Sequence, residues 1–103
     1  MKRFLQIAFL TLFISTAAFA TGDVKLGQNY PNPANEKTYV EVQFSSPQAT
    51  LTISNILGKT LEVKTLPNSG TFVVDVTNLP TGIYFYTLEA DGEKVTKKMT
   101  VKN

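Results

Sequence analysis

The side chains with ionisable chemistry in this sequence are its carboxylates, its lysines, one arginine and four tyrosines, because histidine and cysteine are both absent. A Ser-His-Asp or Cys-His arrangement, a histidine or thiolate metal centre and a disulfide staple are therefore excluded. Acid-base work would fall to carboxylate, lysine or tyrosine. The eight carboxylates are Asp23, Glu36, Glu41, Glu62, Asp75, Glu89, Asp91 and Glu93. They are spread over turns and solvent-facing strand positions, with no pair arranged to divide general acid and base roles. No glycine-rich phosphate loop accompanies them. The expectation is a chain without catalytic residues, cofactor site or metal site.

Two constellations invite a sharper reading and are better explained by structure. Asp91 and Glu93 flank Gly92 and could offer hard oxygen ligands to calcium, but a calcium site wants three or more such ligands. Asp-Gly at a hairpin tip needs no metal. Tyr84 and Tyr86 could form a sugar-stacking platform, yet they share a strand phase with Leu88, which argues for the core, whereas Tyr39 and Phe85 lie out of phase and are expected to be partly exposed. Lys94, Lys97, Lys98 and Lys102 serve most simply to blunt and solubilise a terminal strand.

The elements that would position these groups begin after a leader. Lys2 and Arg3, an apolar run from Phe4 to Ile14, and the small-x-small end Ala18-Phe19-Ala20 form a secretory signal peptide over residues 1–20, cleaved after Ala20. The apolar run is interrupted by Gln6 and falls short of the roughly 18 to 20 residues that cross a bilayer, so no integral span is expected after cleavage. Loss of Lys2 and Arg3 takes the ten basic residues to eight, equal to the eight acids. With no arginine left and no basic stripe, nucleic acid is not an expected partner. A small exported domain that does without disulfides suggests a bacterial source.

Residues 21–103 then read as one domain. Residues 21–37, with Asn29-Tyr30-Pro31-Asn32-Pro33-Ala34-Asn35 at their centre, favour extended and turn conformations and predict a loop leading into the fold. Period-two alternation predicts a strand over 38–44 with Val40, Val42 and Phe44 on one face. A second strand carries Leu51 and Ile53 and ends near Asn55, and a turn to Gly58 leads to a return strand over 59–66 in which Leu61 and Val63 resume the alternation. Phe72, Val74 and Val76 form the next apolar face, with Leu79 tucked under the core. A longer strand over 83–90 turns at Asp91-Gly92 into a last strand with Val95, Met99 and Val101 inward. A seventh strand is expected around Val24 to Leu26. Strands recurring about every ten residues without helical periodicity predict an all-β fold, a single small antiparallel β-sandwich of about seven strands.

Four ordered motifs carry a family resemblance: Asn29 to Ala34, Leu51 to Lys59 with its Asn55-Ile56-Leu57-Gly58 turn, Leu79-Pro80-Thr81-Gly82-Ile83-Tyr84, and Lys97-Lys98-Met99-Thr100-Val101. From about Leu26 to Asn103 the chain resembles the type IX secretion C-terminal sorting domains. That resemblance implies an immunoglobulin-like sandwich from Bacteroidetes-type bacteria, brought to the periplasm by the general secretion machinery. It also implies recognition by an outer-membrane type IX translocon with its sortase, and a final place at the cell surface or outside the cell. Tyr30, Pro31, Asn32, Pro33, Gly58, Pro80, Gly82 and Tyr84 match the family motifs and are expected to be mainly structural. Lys97, Lys98, Met99 and Val101 on the final strand are the candidates for translocon contact. Asn55 and Lys59 depart from the aspartate and arginine common in the family. Only about eight residues separate the expected cleavage site from the first motif, so no cargo is evident. The competing reading is a small structural or adhesive β-sandwich at the cell surface.

Overall fold

The computed structural model describes residues 24–103, so the leader, with Ala18 and Ala20, lies outside the described residues. Eight strands follow one another: β1 (Lys25–Leu26), β2 (Tyr30–Asn35), β3 (Lys37–Gln43), β4 (Ala49–Asn55), β5 (Thr60–Leu66), β6 (Gly70–Asp75), β7 (Gly82–Ala90) and β8 (Glu93–Val101). They form a β-sandwich. In one sheet β3 pairs with β6 along one side and with β1 and β2 along the other. In the second sheet the order is β5-β4-β7-β8. Strand β2 links the two, running antiparallel to β3 and parallel to β8, where Ala34 faces Val101.

The inward faces follow the alternation. Val40 and Val42 from β3, Leu51 and Ile53 from β4, Val74 from β6, Tyr84, Tyr86 and Leu88 from β7, and Met99 and Val101 from β8 make one buried cluster. Val76 joins it, with Leu79 and Val95 packed at its margin. Successive side chains on a strand point to opposite faces, so the strands supply apolar groups to this layer at alternate positions and present mostly polar groups to water.

Two segments differ from the sequence expectation. Residues 30–35 form β2 rather than a loop. Proline is already close to extended geometry and only its missing N–H bars it from a regular ladder. Strand β2 needs few such bonds, because its pairing with β3 is confined to Tyr30↔Tyr39 and Asn35↔Lys37 with an irregularity between. The second difference concerns β5. Its alternation is real, but Val63 pairs with Thr52 and Lys64 with Leu51, which turns Leu61 and Val63 outward and Glu62 and Lys64 toward the inside of the sandwich. Lys64 Nζ crosses to donate to the Val73 carbonyl of β6 at 2.9 Å. An inward charge on an edge strand discourages pairing with a further strand.

Turn chemistry agrees with the backbone. Asp91 and Gly92 have φ of 53° and 79°, both positive as a two-residue hairpin of the primed type demands. At the β4–β5 turn Gly58 sits at φ 89°, and Asn55 Oδ1 accepts from the Leu57 and Lys59 amides at 3.0 and 2.9 Å.

Candidate recognition site

Strand β8 forms a two-residue hairpin with β7, which brings Ala90 opposite Glu93. Its even-numbered residues turn their main-chain groups away from β7. The three that find partners there show this directly: Lys98 O accepts from Gln28 Nε2 at 2.9 Å, Thr100 N donates to Asn32 Oδ1 at 3.1 Å, and Lys102 N donates to Ala34 O at 2.9 Å. The segment 28–34 thus caps the C-terminal half of the edge. Toward the hairpin, no described strand pairs with β8 on that side, because β2 meets β8 only at Ala34↔Val101. Lys94 and Thr96 turn their backbone N–H and C=O to this stretch, which no described strand pairs.

The side chains of β8 separate by parity. Lys94, Thr96 and Lys98 are exposed on the outer face, Lys98 opposite Phe85. Lys97 is half-buried opposite Tyr86. Met99 and Val101 are fully buried and, being odd-numbered, turn their main-chain groups to β7, so they hold the strand in register and offer a partner no side chain. Of the four residues named from the sequence for translocon contact, the fold presents Lys98 fully and Lys97 in part.

The segment that caps β8 is itself anchored by a buried polar network. Tyr86 Oη accepts from the Asn29 amide and donates to the Gly27 carbonyl, both at 2.8 Å. Asn29 Nδ2 donates to Thr38 Oγ1 at 3.0 Å and to the Pro31 carbonyl at 3.1 Å. Thr38 Oγ1 also donates to Pro31 O at 2.9 Å. Burial pushes the Tyr86 hydroxyl above the usual phenol range, opposed by the hydrogen bond from Asn29. Gln28 then joins the network to the edge, donating to Asn29 Oδ1 at 2.7 Å as well as to Lys98 O.

The remaining motif residues have traceable tasks. Tyr84 is buried and donates to the Pro80 carbonyl at 2.6 Å, across the turn that contains Gly82, in the manner of the tyrosine corner of immunoglobulin-like sandwiches. Pro31, Asn32 and Pro33 are exposed along β2, and Tyr30 is exposed with its ring against Tyr39. Asp91 accepts from the Ser45 amide at 3.0 Å, which holds its carboxyl below the usual carboxylate range and ties the β7–β8 hairpin to the β3–β4 loop.

Sequence reasoning passed over Gln28, Thr38 and Asn103, and named Asn29 in the first family motif without a task of its own. Asn103 Nδ2 donates to the Val76 and Leu79 carbonyls at 2.7 and 2.9 Å, and its Oδ1 accepts from the Glu36 amide at 3.1 Å. The asparagine density of the lead-in segment was the available signal, since that side chain readily bonds to backbone. Among the described residues no group of three histidine, cysteine or acidic side chains is placed to hold a metal ion. Among the same described residues no helix is long and apolar enough to cross a membrane.

A comparison with curated proteins gives no match. The family model described as "Secretion system C-terminal sorting domain" matches residues 28–102. The match takes in the capping segment, both central hairpins and all of β8. It implies involvement with type IX secretion and export to the cell surface or the extracellular space. The chain belongs to the secretion system C-terminal sorting domain family, the type IX sorting signals.

Proposed function

We propose that residues 21–103 act as a recognition domain that the type IX translocon and its sortase read along β8. The general secretion machinery delivers it to the periplasm through residues 1–20, with cleavage after Ala20. The observation that supports this reading is the main-chain edge at Lys94 and Thr96, which no strand pairs among the described residues, with Lys94 and Lys98 exposed beside it. An unpaired edge is a template for strand addition, in which main-chain hydrogen bonds supply affinity and alternate side chains supply selectivity. The opposite edge of the same sheet, β5, carries inward charge, which disfavours the same use of it.

The test is fractionation of cells with and without a working translocon, with an epitope inserted between the exposed Ile56 and Leu57. Translocon-dependent arrival at the surface or in the medium is expected, and an intact periplasmic product in both strains overturns the reading. Thr96→Pro tests the edge itself. It removes an N–H that faces away from β7 and leaves the β7–β8 ladder intact, as proline on an edge strand permits. The variant is expected to fold, by circular dichroism, and to remain in the periplasm; undiminished arrival at the surface excludes strand addition at β8.

A further inference from the structure

From the opposite sheet we infer that the outer face of β1-β3-β6 binds a neutral oligosaccharide, independently of translocon recognition. Three observations meet on this face. The first is a groove of about 500 Å³ lined by Lys25, Gly27, Glu41, Gln43 and Thr71 among others. Its floor is the row Gly27–Glu41–Thr71: Thr71 is the register partner of Glu41, and the Gly27 amide donates to the Glu41 carbonyl at 2.8 Å. A Cβ on Gly27 would stand 3.5 Å from the Glu41 Cβ, so the glycine keeps the carboxylate open from that side.

The second observation is the next row on the same face, Tyr30–Tyr39–Val73, which runs across β2, β3 and β6. Tyr30 is 49% exposed, Tyr39 42% and Val73 42%. The two rings lie with centroids 6.0 Å apart and planes inclined by 34°. Tyr39 and Glu41 are two residues apart on β3, so ring and carboxylate stand side by side, roughly 7 Å apart along the strand. An aromatic face carries negative potential that attracts polarised C–H groups, and a sugar ring presents a face of such groups with hydroxyls around its rim.

The third observation is the polar set. Glu41 accepts only, Lys25 donates only, and Gln43 and Thr71 do both. Hydroxyls, which donate and accept, match that mixture, and the one positive and one negative charge that Lys25 and Glu41 bring to the groove sum to zero, which favours a neutral ligand. The groove is open and spans three strands, roughly 10 Å, which suits a chain of sugar units lying across the face. A proline-rich peptide fits less well. The two tilted rings lie against each other with centroids 6.0 Å apart and so offer no parallel-walled slot for a proline, and a prolyl backbone has no N–H to give to Glu41.

The experiment is an NMR titration of the purified mature protein with maltohexaose, cellohexaose and mannohexaose in turn. The expected result is that at least one shifts the amide signals of Gly27, Glu41 and Thr71. Tyr39→Ala is expected to weaken that binding about three- to tenfold, as loss of one aromatic contact does, with the fold retained by circular dichroism. Glu41→Gln serves as a second variant, which keeps the shape of the side chain and is expected to weaken binding in the same range. Absence of shifts with all three sugars at millimolar concentration overturns the proposal. So do shifts confined to β8, affinity unchanged in both variants, or stronger shifts of the same amides by decaproline. Fractionation plays no part in this outcome, so failure here leaves the translocon reading standing, and the reverse holds.

Discussion

Replacing Tyr86 with phenylalanine removes one oxygen from the middle of the polar network and leaves the ring in place. The hydroxyl is both acceptor for the Asn29 amide and donor to the Gly27 carbonyl, each at 2.8 Å, and the residues Asn29 and Tyr86 are 2% and 0% exposed. Phenylalanine fills the same space, so no cavity forms; the Asn29 amide and the Gly27 carbonyl both lose their partner, and the orphaned buried amide costs about 1–3 kcal/mol. At about 4–8 °C per kcal/mol for a domain of this size, a loss of about 2 kcal/mol lowers the melting temperature by about 8–16 °C. Thermal and urea unfolding at neutral pH, followed by far-ultraviolet circular dichroism, measures it. Tyr84→Phe is the comparison, because its hydroxyl bonds to the carbonyl of an exposed proline and water can replace it; its expected cost is about 0.5–1.5 kcal/mol. Alkali provides an independent arm. The folded Tyr86 hydroxyl titrates above its unfolded value of 10.0, so its contribution is fully present below that pH and is lost as pH rises through the folded pKa. Tyr86→Phe should flatten this alkaline fall. A variant as stable as the parent, or less stable with an unchanged alkaline limb, refutes the assignment of Tyr86 as the anchor.

Asn103→Ala removes three side-chain hydrogen bonds that hold Glu36 and the turn after Val76 against the end of β8, and is expected to cost about 1–2 kcal/mol in urea unfolding. Asp91→Asn acts at the acid end. The lowered carboxyl pKa contributes stability above 3.8 that is lost as pH falls through the folded value, so the variant should show a shallower decline in an acid titration followed by circular dichroism. Lys64→Val takes the inward charge from β5 and leaves the Val73 carbonyl uncapped; light scattering is expected to show association that the parent lacks.

Where alternation ran between two apolar partners, the sequence was enough. Val40 with Val42, Leu51 with Ile53, and Tyr84 with Tyr86 and Leu88 all face inward, and the phase that separated Tyr39 and Phe85 from them predicted their exposure correctly. The same rule failed at β5, because alternation gives a strand two faces without saying which one meets the core. Leu61 and Val63 are as regular as Leu51 and Ile53, and only the register with β4 turns them to solvent. At β2 the difference has another source: Pro31 and Pro33 predict extended and turn conformations in a loop, and a strand with few ladder bonds accommodates the same extended backbone.

The candidate site divides in the same way. That the final strand carries lysines, and that no histidine or cysteine chemistry is available, is a property of residue types and was determined by the sequence alone. The element types, the Asp91-Gly92 hairpin and most of the core came from local pattern, because turn dihedrals and side-chain period depend on near neighbours. Tertiary structure decided which half of the β8 edge is open, since Gln28, Asn32 and Ala34 reach it from some seventy residues away in the chain. It also brought Tyr30 onto Tyr39 and opened the groove beside Glu41. Such contacts depend on strand order and register, which a periodic pattern leaves free until the two sheets close over one core.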